Sequence, residues 1–353
     1  MDFTFTDEQR MMSSAFRALS EELCAPEQLR AVFEFRDEAA AERWLRLADL
    51  GLFGVLLPDA SGGMGLEDAD FVLLAEEAGR AALPEPLIEQ AGVAAPALYE
   101  LASDARAARL LEGVARGKVR IAVAHPLNPY ANTPHGVTHW LLSGDAAIHL
   151  LEAWQVKPTA QPSIDAGRRL FGIALDANAP EPLASGSAAR TIAARIANRG
   201  ALYTAAQCLG LAERMLALSC EYAKAREQFG SPIGSYQAIK HELASVAVKL
   251  EFARPVVYAA VTRAADTDAQ ALAVISHAKL AATDAAELAA RTALQVHGAM
   301  GYSWEVDLHF YMKRAWALAG AWGDRSFHAR RLESLVLGGA VALGPDATFH
   351  RSA

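Results

Sequence analysis

Apolar residues recur at alternating four- and three-residue intervals along Ile239, Leu243, Val246, Leu250, Ala253 and Val257. That interval places them on one face of a long helix. Pro255 falls inside the stripe and is expected to kink it, because proline removes one backbone donor. A second stripe, Val274, Ala278, Ala281, Ala285 and Leu288, is built of smaller residues that allow close helix packing. From about 191 to 353 the pattern is helical throughout and predicts a four-helix bundle with oligomer contacts. Residues 1 to about 120 also read as helices, separated by short polar turns. Thr6 is placed to cap the first of them, with Gln9 at capping-box spacing. The apolar run Leu52 to Leu57 ends at Pro58, and a flexible loop follows, Ser61-Gly62-Gly63-Met64-Gly65. The loop is glycine-rich enough to cradle a phosphate, but it lacks the Gly-x-Gly-x-x-Gly spacing and a preceding strand. Between about 121 and 190 the pattern changes to short strand-like runs, IAVAHP, THWLLSG and LFGIALD, bounded by Pro, Asn and Gly. The fold class expected is therefore mainly α with a small β-domain, in three units: 1–120, 121–190 and 191–353.

The composition agrees with a well-buried helical enzyme: 353 residues, 52% hydrophobic and 21% charged. A formal net charge of −8, with dispersed basic residues, argues against nucleic acid or an anionic membrane as partner. Cys24, Cys208 and Cys220 are an odd set in helical contexts, read as buried free thiols of a reducing compartment. Asp2, Asp7 and Glu8 replace the basic start of a signal peptide, and no apolar run reaches membrane-spanning length. A cytoplasmic location is expected.

Two segments carry candidate chemistry. Tyr222 to Ala244, YAKAREQFGSPIGSYQAIKHELA, joins two helices through a short loop. Arg226 can fork onto a phosphate, Gln228 can bond a ribose or ring edge, and Phe229 can cover an aromatic base. Gly230 is read as the helix stop, and Ser231-Pro232 as an extended link to the next helix. Gln295 to Tyr302, QVHGAMGY, closes a second helical pattern with glycines. Other patterns carry less. GVARGKV, from Gly113 to Val119, has the wrong spacing for a phosphate loop. His135 and His139 lack a third metal ligand nearby, and Ser245 stands where a zinc-protease motif beginning at His241 needs its second histidine.

Taken in order, REQFG and QVHGAMGY resemble the carboxy-terminal half of the acyl-CoA dehydrogenase family. DFTFTDEQR and the stretch from Leu47 to Arg80 resemble its opening helix and Pro-x-x-x-Gly-Gly-x-Gly loop. The resemblance covers most of the chain and implies that family's fold, with FAD as cofactor and an acyl-CoA thioester as substrate. It implies cofactor-binding roles for Arg226, Gln228, Phe229, Gln237, Gln295, Gly298 and Ala299, reaching the adenosine diphosphate half of a neighbouring subunit's FAD. Ala299 stands where the family has its second glycine, and its methyl would crowd a close phosphate.

The chemistry of the family needs a carboxylate to take the substrate's α-proton. Continuing the register without a gap brings Trp322 to one usual base position, and Gly200 and Ala201 to the other. None of these can accept a proton. Asp324 is expected to cap the next helix, Glu305 to be structural, His297 to pack beside the adenosine half, and Trp316 and Trp322 to lie in core or interface. The flavin-ring segments of the β-domain are eroded too, with Val123 to Asn128 at the first and no match to the second. This combination resembles the short, non-catalytic subunit of bacterial α2β2 acyl-CoA dehydrogenases, some of which act on steroid side-chain thioesters. No catalytic residue and no metal ligand is assigned in this chain. The alternatives are a self-sufficient dehydrogenase with a relocated base, and a flavin-free scaffold on the same fold.

Overall fold

Helices dominate both ends of the chain because their sequences hold long apolar faces with few interior breakers. The computed structural model describes residues 4–144, 146–174, 180–342 and 344. Asp2 and the last two residues of the LFGIALD run lie outside these residues. The amino-terminal part contains α1 (Asp7–Leu23), α2 (Pro26–Phe33), α3 (Ala40–Asp49) and α4 (Asp68–Arg80). After a π-helical stretch, Ile88–Ala94, come α5 (Ala95–Glu100), α6 (Ala105–Ala108) and α7 (Leu111–Ala115). Thr6 caps α1 as expected: its hydroxyl accepts from Gln9 N, and Gln9 Oε1 accepts from Thr6 N at 2.9 Å.

The middle of the chain folds as two small sheets. In the first, β1 (Ile121–Ala124) runs parallel to β3 (His139–Ser143), which pairs antiparallel with β4 (Ala147–Glu152) and through it with β7 (Ala184–Ser185). In the second, β6 (Leu170–Gly172) lies between β2 (Tyr130–Asn132) and β5 (Thr159–Ala160). Trp140, opposite Leu151 and Ala122, anchors a satellite core separate from the main one.

The carboxy-terminal bundle opens with α8 (Gly186–Ala225), followed by a hairpin of β8 (Glu227–Gln228) and β9 (Ser231–Pro232). Then come α9 (Gln237–Val261), α10 (Ala269–His297), α11 (Leu308–Gly320) and α12 (Arg325–Leu337). α9 buries the expected stripe at Val246, Leu250, Ala253 and Val257, with Ile239 and Leu243 half-buried, and it continues unbroken through Pro255. The second stripe is displaced. Val274, Ala281 and Leu288 are only half-buried, while Ala271, Ile275, Ala278, Ala282, Ala285 and Ala289 are buried. The reason is that α10 packs against α8, α9, α11 and α12, so it needs more than one apolar face. α8 is more enclosed still, with Ala201 to Ala212 buried without interruption. Its contact with α4 is backbone to backbone: a Cβ on Gly79 would strike Gln207 O, and one on Gly210 would strike Glu76 O.

Buried ion pairs tie the units together. Glu76 of α4 accepts from Arg254 and from Tyr258 of α9, both at 2.7 Å. Burial pushes the Glu76 carboxyl up to about 7 against the pull of Arg254. Arg314 of α11 pairs with Asp165 of the β-domain and donates to Leu83 O at 2.7 Å. Of the three cysteines, Cys24 and Cys208 are buried, whereas Cys220 is half-exposed, contrary to the expectation of three buried thiols.

Candidate functional site

The REQFG segment is a rigid hairpin projecting from the bundle. α8 ends at Ala225, not at Gly230 as the sequence suggested, with Arg226 already extended at φ −79° and ψ 120°. Gly230 is instead the second residue of a two-residue turn, with Phe229 at φ 56° and Gly230 at φ 81°. Turns with both central residues left-handed match the twist of the strands they join. Tyr236 braces the loop from below, its hydroxyl donating to Gln228 O at 2.9 Å and lying 3.4 Å from Phe229 O. Arg226, Gln228 and Gln237 are exposed, and Phe229 is 94% exposed. These side chains share one projection that is open to solvent. The phenyl ring is held almost wholly in water, on a backbone conformation that non-glycine residues seldom adopt.

The second segment terminates α10. Gly298 leaves the helix at φ 57° and ψ −134°, a conformation that only glycine adopts readily, and among the described residues nothing lies within 4 Å of where its Cβ would be. Gln295, Gly298 and Ala299 face outward, while Val296 and His297 turn inward. His297 stacks on Tyr222 with ring centroids 4.3 Å apart, and its Nδ1 lies 2.8 Å from Ala293 O. Burial pushes its pKa down, so the ring is a neutral packing element. Tyr222 precedes Arg226 by one helical turn, so the stack joins the two segments at their roots. The structure thus brings the two sets of sequence-predicted residues to the same end of the bundle.

The turn that the register assigned to the base is filled from within. Trp322 is 1% exposed and adopts φ 56°, followed by Gly323 at φ 95°. Its indole lies against Gly200, where any Cβ would collide with the ring. The two positions at which a base was sought are therefore neighbours in space, closed upon one another. Gly323 N donates to Leu127 O at 3.1 Å, and the His125 ring lies 5.9 Å from the indole. This docks the turn onto the eroded segment from Val123 to Asn128. His328 completes the seat, with Nε2 3.0 Å from Trp322 O and Nδ1 3.2 Å from Ser276 Oγ; burial pushes its pKa down to about 3. Among the described residues Trp322 Nε1 has no hydrogen-bond partner.

Asp324 caps α12 by accepting from Phe327 N at 2.7 Å, as the sequence indicated. Glu305 is exposed, and its backbone oxygen accepts from Arg30. Trp316 is 36% exposed on α11, apart from the buried turn. The glycine loop at 61–65 is no phosphate cradle. The amides of Ser61, Gly62 and Gly63 donate to Pro58 and Asp59 carbonyls, and those of Met64 and Gly65 to Gly54 and Leu57. His135 accepts from Arg120 through its carbonyl, and the His139 ring lies 2.9 Å from Thr138 Oγ1. Sequence reasoning passed over Arg43, Glu85 and Arg168, which line a cavity between the amino-terminal helices and the second sheet. The charged pair Arg168-Arg169 within a strand-domain segment was the available signal.

The amino-terminal domain model of acyl-CoA dehydrogenases matches residues 6–118, and the carboxy-terminal domain model matches residues 190–332. This chain belongs to the acyl-CoA dehydrogenase family. It is 33% identical to the acyl-CoA dehydrogenase IpdE2 of Mycobacterium tuberculosis over 94% of its own length and 98% of that protein. Among solved structures, a variant of the Tcur3481–Tcur3483 steroid acyl-CoA dehydrogenase is similar at 27% identity and TM-score 0.80, covering 95% of this chain and 99% of that one. The ChsE4–ChsE5 complex from Mycobacterium tuberculosis is similar at 25% identity and the same TM-score, covering 96% and 99%. Membership in this acyl-CoA dehydrogenase family implies FAD as cofactor and a dehydrogenase activity. No helix among the described residues is long and apolar enough to cross a membrane.

Proposed function

We propose that this chain is the non-catalytic subunit of a heteromeric acyl-CoA dehydrogenase, α2β2 in composition, that completes the FAD site of a catalytic partner. The single observation that carries the reading is Trp322 packed against Gly200, which leaves neither a carboxylate nor room for one at either base position. FAD, when bound, supplies the hydride acceptor for α,β-desaturation of a CoA thioester. This chain's part is to hold the adenosine diphosphate half: Arg226 on phosphate, Gln228, Gln237 and Gln295 on polar edges, Phe229 over the adenine. Gly298 leaves open space for close approach, and the Ala299 methyl sets its limit. The outward exposure of these residues fits a ligand arriving from another subunit, and it does not fit one bound inside this protomer.

The solved relatives that are named as pairs of different chains favour a hetero-oligomer, and the one named a steroid enzyme favours a bulky thioester. A relocated base finds no support, since Asp324 is engaged as a helix cap and Glu305 sits on the surface. The test is purification of the chain alone and together with a full-length catalytic homologue. The chain alone should carry little flavin and no activity, and the pair should be yellow and active. A yellow homomer that oxidises acyl-CoA would overturn the proposal. A pair that carries no flavin, with function unaffected by Arg226→Ala, would point to the scaffold reading.

A further inference from the structure

Between α2, α3 and the second sheet lies a cavity of about 460 Å³. That is within the range of small-molecule sites, about 300–1,000 Å³. Its walls are largely apolar, with Val32, Pro84, Pro86, Leu170 and Phe171 among them. None of its lining residues belongs to the hairpin, the α10 turn or the Trp322 turn.

The polar side chains in this cavity are unequally provided for. Arg43 is 2% exposed and fully engaged, donating to both oxygens of Asp37 at 2.9 and 2.6 Å and to Glu85 Oε1 at 2.7 Å. Arg168 is different. It is 7% exposed, lines the cavity, and among the described residues its guanidinium has neither a hydrogen bond nor a carboxylate within ion-pair distance. Burial pushes its pKa down, only partly offset by the fields of Glu89 and Asp165. Arg168 is nine-tenths buried as a residue, and with no hydrogen-bond partner among the described residues its guanidinium is open to an anion that enters the cavity. Arg169, exposed at the rim, adds a second positive charge along the way in.

We propose that this cavity is a binding site for an apolar small molecule bearing a carboxylate, with Arg168 as the bidentate partner of that carboxylate. A monoanion is favoured over a phosphate dianion because Glu85 and Asp37 line the same cavity. One guanidinium without a hydrogen-bonded carboxylate of its own matches one carboxylate in charge and in fork geometry. The apolar walls require that the rest of the ligand be hydrocarbon. The inference is independent of the flavin reading, since no residue is common to both.

Isothermal titration calorimetry on the full chain with 4-cyclohexylbutanoate, its neutral amide and inorganic phosphate tests the assignment. The carboxylate should bind, and the amide and phosphate should bind at least about tenfold more weakly, the usual scale for losing a charge-assisted bond. Arg168→Gln should reduce carboxylate affinity by about 10–100-fold, and Arg168→Lys by less, since it keeps the charge without the fork. Ala160→Trp, at an exposed cavity-lining position, should block binding by filling space. The thermal midpoint of Arg168→Gln without ligand should be unchanged or raised. Equal binding of acid and amide would overturn the proposal. So would an Arg168→Gln variant that loses stability but keeps its affinity, which would make Arg168 a counter-charge to Glu89 alone.

Discussion

Two turns in this molecule occupy comparable places at helix ends, and they have opposite fates. The turn from Ala321 to Asp324 is folded inward: Trp322 is seated on Gly200, its carbonyl held by His328, and Gly323 is tied to Leu127. The hairpin from Arg226 to Pro232 is folded outward, with its own brace from Tyr236 and its aromatic side chain in water. Each contains a non-glycine residue at positive φ, Trp322 in one and Phe229 in the other. Backbone strain of that kind persists only where the surroundings enforce it. In the first turn the enforcing contacts are core packing, and in the second they are two strands and a tyrosine. The contrast is between a turn closed by core packing and a turn that presents its side chains to solvent.

The largest effect should come from the inner turn. Trp322→Ala should cost about 3–5 kcal/mol in urea denaturation, the usual range for deleting a large buried aromatic. Gly200→Ala should destabilise the wild-type chain, because its Cβ meets the indole, and should be nearly neutral once Trp322 is alanine. The two changes together should therefore show a coupling of about 1 kcal/mol or more. Additive behaviour would mean that the indole and Gly200 do not press on each other, and the closed-site comparison would fail.

The outer turn should respond in the reverse way. Arg226→Ala should leave the stability of the lone chain within about 0.5 kcal/mol, as expected of an exposed side chain. In the reconstituted complex it should weaken FAD retention by about 10–100-fold, measured by flavin release on dilution. A variant that unfolds the chain, or one that leaves retention intact, would erase the distinction between the two turns.

A third probe tests the clamp that holds α4 against the bundle. Burial raises the Glu76 carboxyl from 4.5 to about 7. Between these values the folded chain binds more protons at this site than the unfolded chain, so stability falls as pH rises through the window. One proton sets an upper limit of about 1.4 kcal/mol per pH unit on that slope. Glu76→Gln should flatten the dependence of unfolding free energy on pH between 5 and 7. An unchanged slope would show that the carboxylate is stabilised by Arg254 and Tyr258 more than burial opposes it.

The sequence made the outward elements legible and the inward ones obscure, for a physical reason. α9 faces solvent on one side, so its stripe from Val246 to Val257 shows as a period. α8 and α10 are enclosed on several sides, and there the periodicity blurs; this displaced the second stripe by part of a turn and left Ala201 to Ala212 without a readable face. The REQFG residues share one projection, but the helix stops at Ala225 and not at the expected Gly230; a glycine after a helix and a glycine in a hairpin look alike in one dimension. Trp322 and Gly200 stand 122 positions apart, and the resemblance brings them to one site as the two base positions; that the indole fills the place of a Gly200 Cβ follows only from the packing of the bundle. Arg168 gave least notice: an arginine reads as exposed unless its surroundings are known.

The smallest effect should belong to the brace under the hairpin. Tyr236→Phe removes a hydroxyl that donates to Gln228 O at 2.9 Å and leaves the ring, 6.4 Å from that of Phe229, in place. An exposed neutral hydrogen bond contributes about 0.5–1.5 kcal/mol, and here water can replace the donor, so chain stability should hardly change. Its consequence should be sought in order. Amide exchange at Ile233, whose N donates to Arg226 O at 2.8 Å across the hairpin, should quicken while that of α8 stays fixed, and FAD retention in the complex should fall by a few-fold, less than for Arg226→Ala. If retention is unaffected while exchange quickens, the partner re-forms the hairpin on binding. In that case the outer turn is shaped by its neighbour, whereas the inner one is shaped by the chain itself.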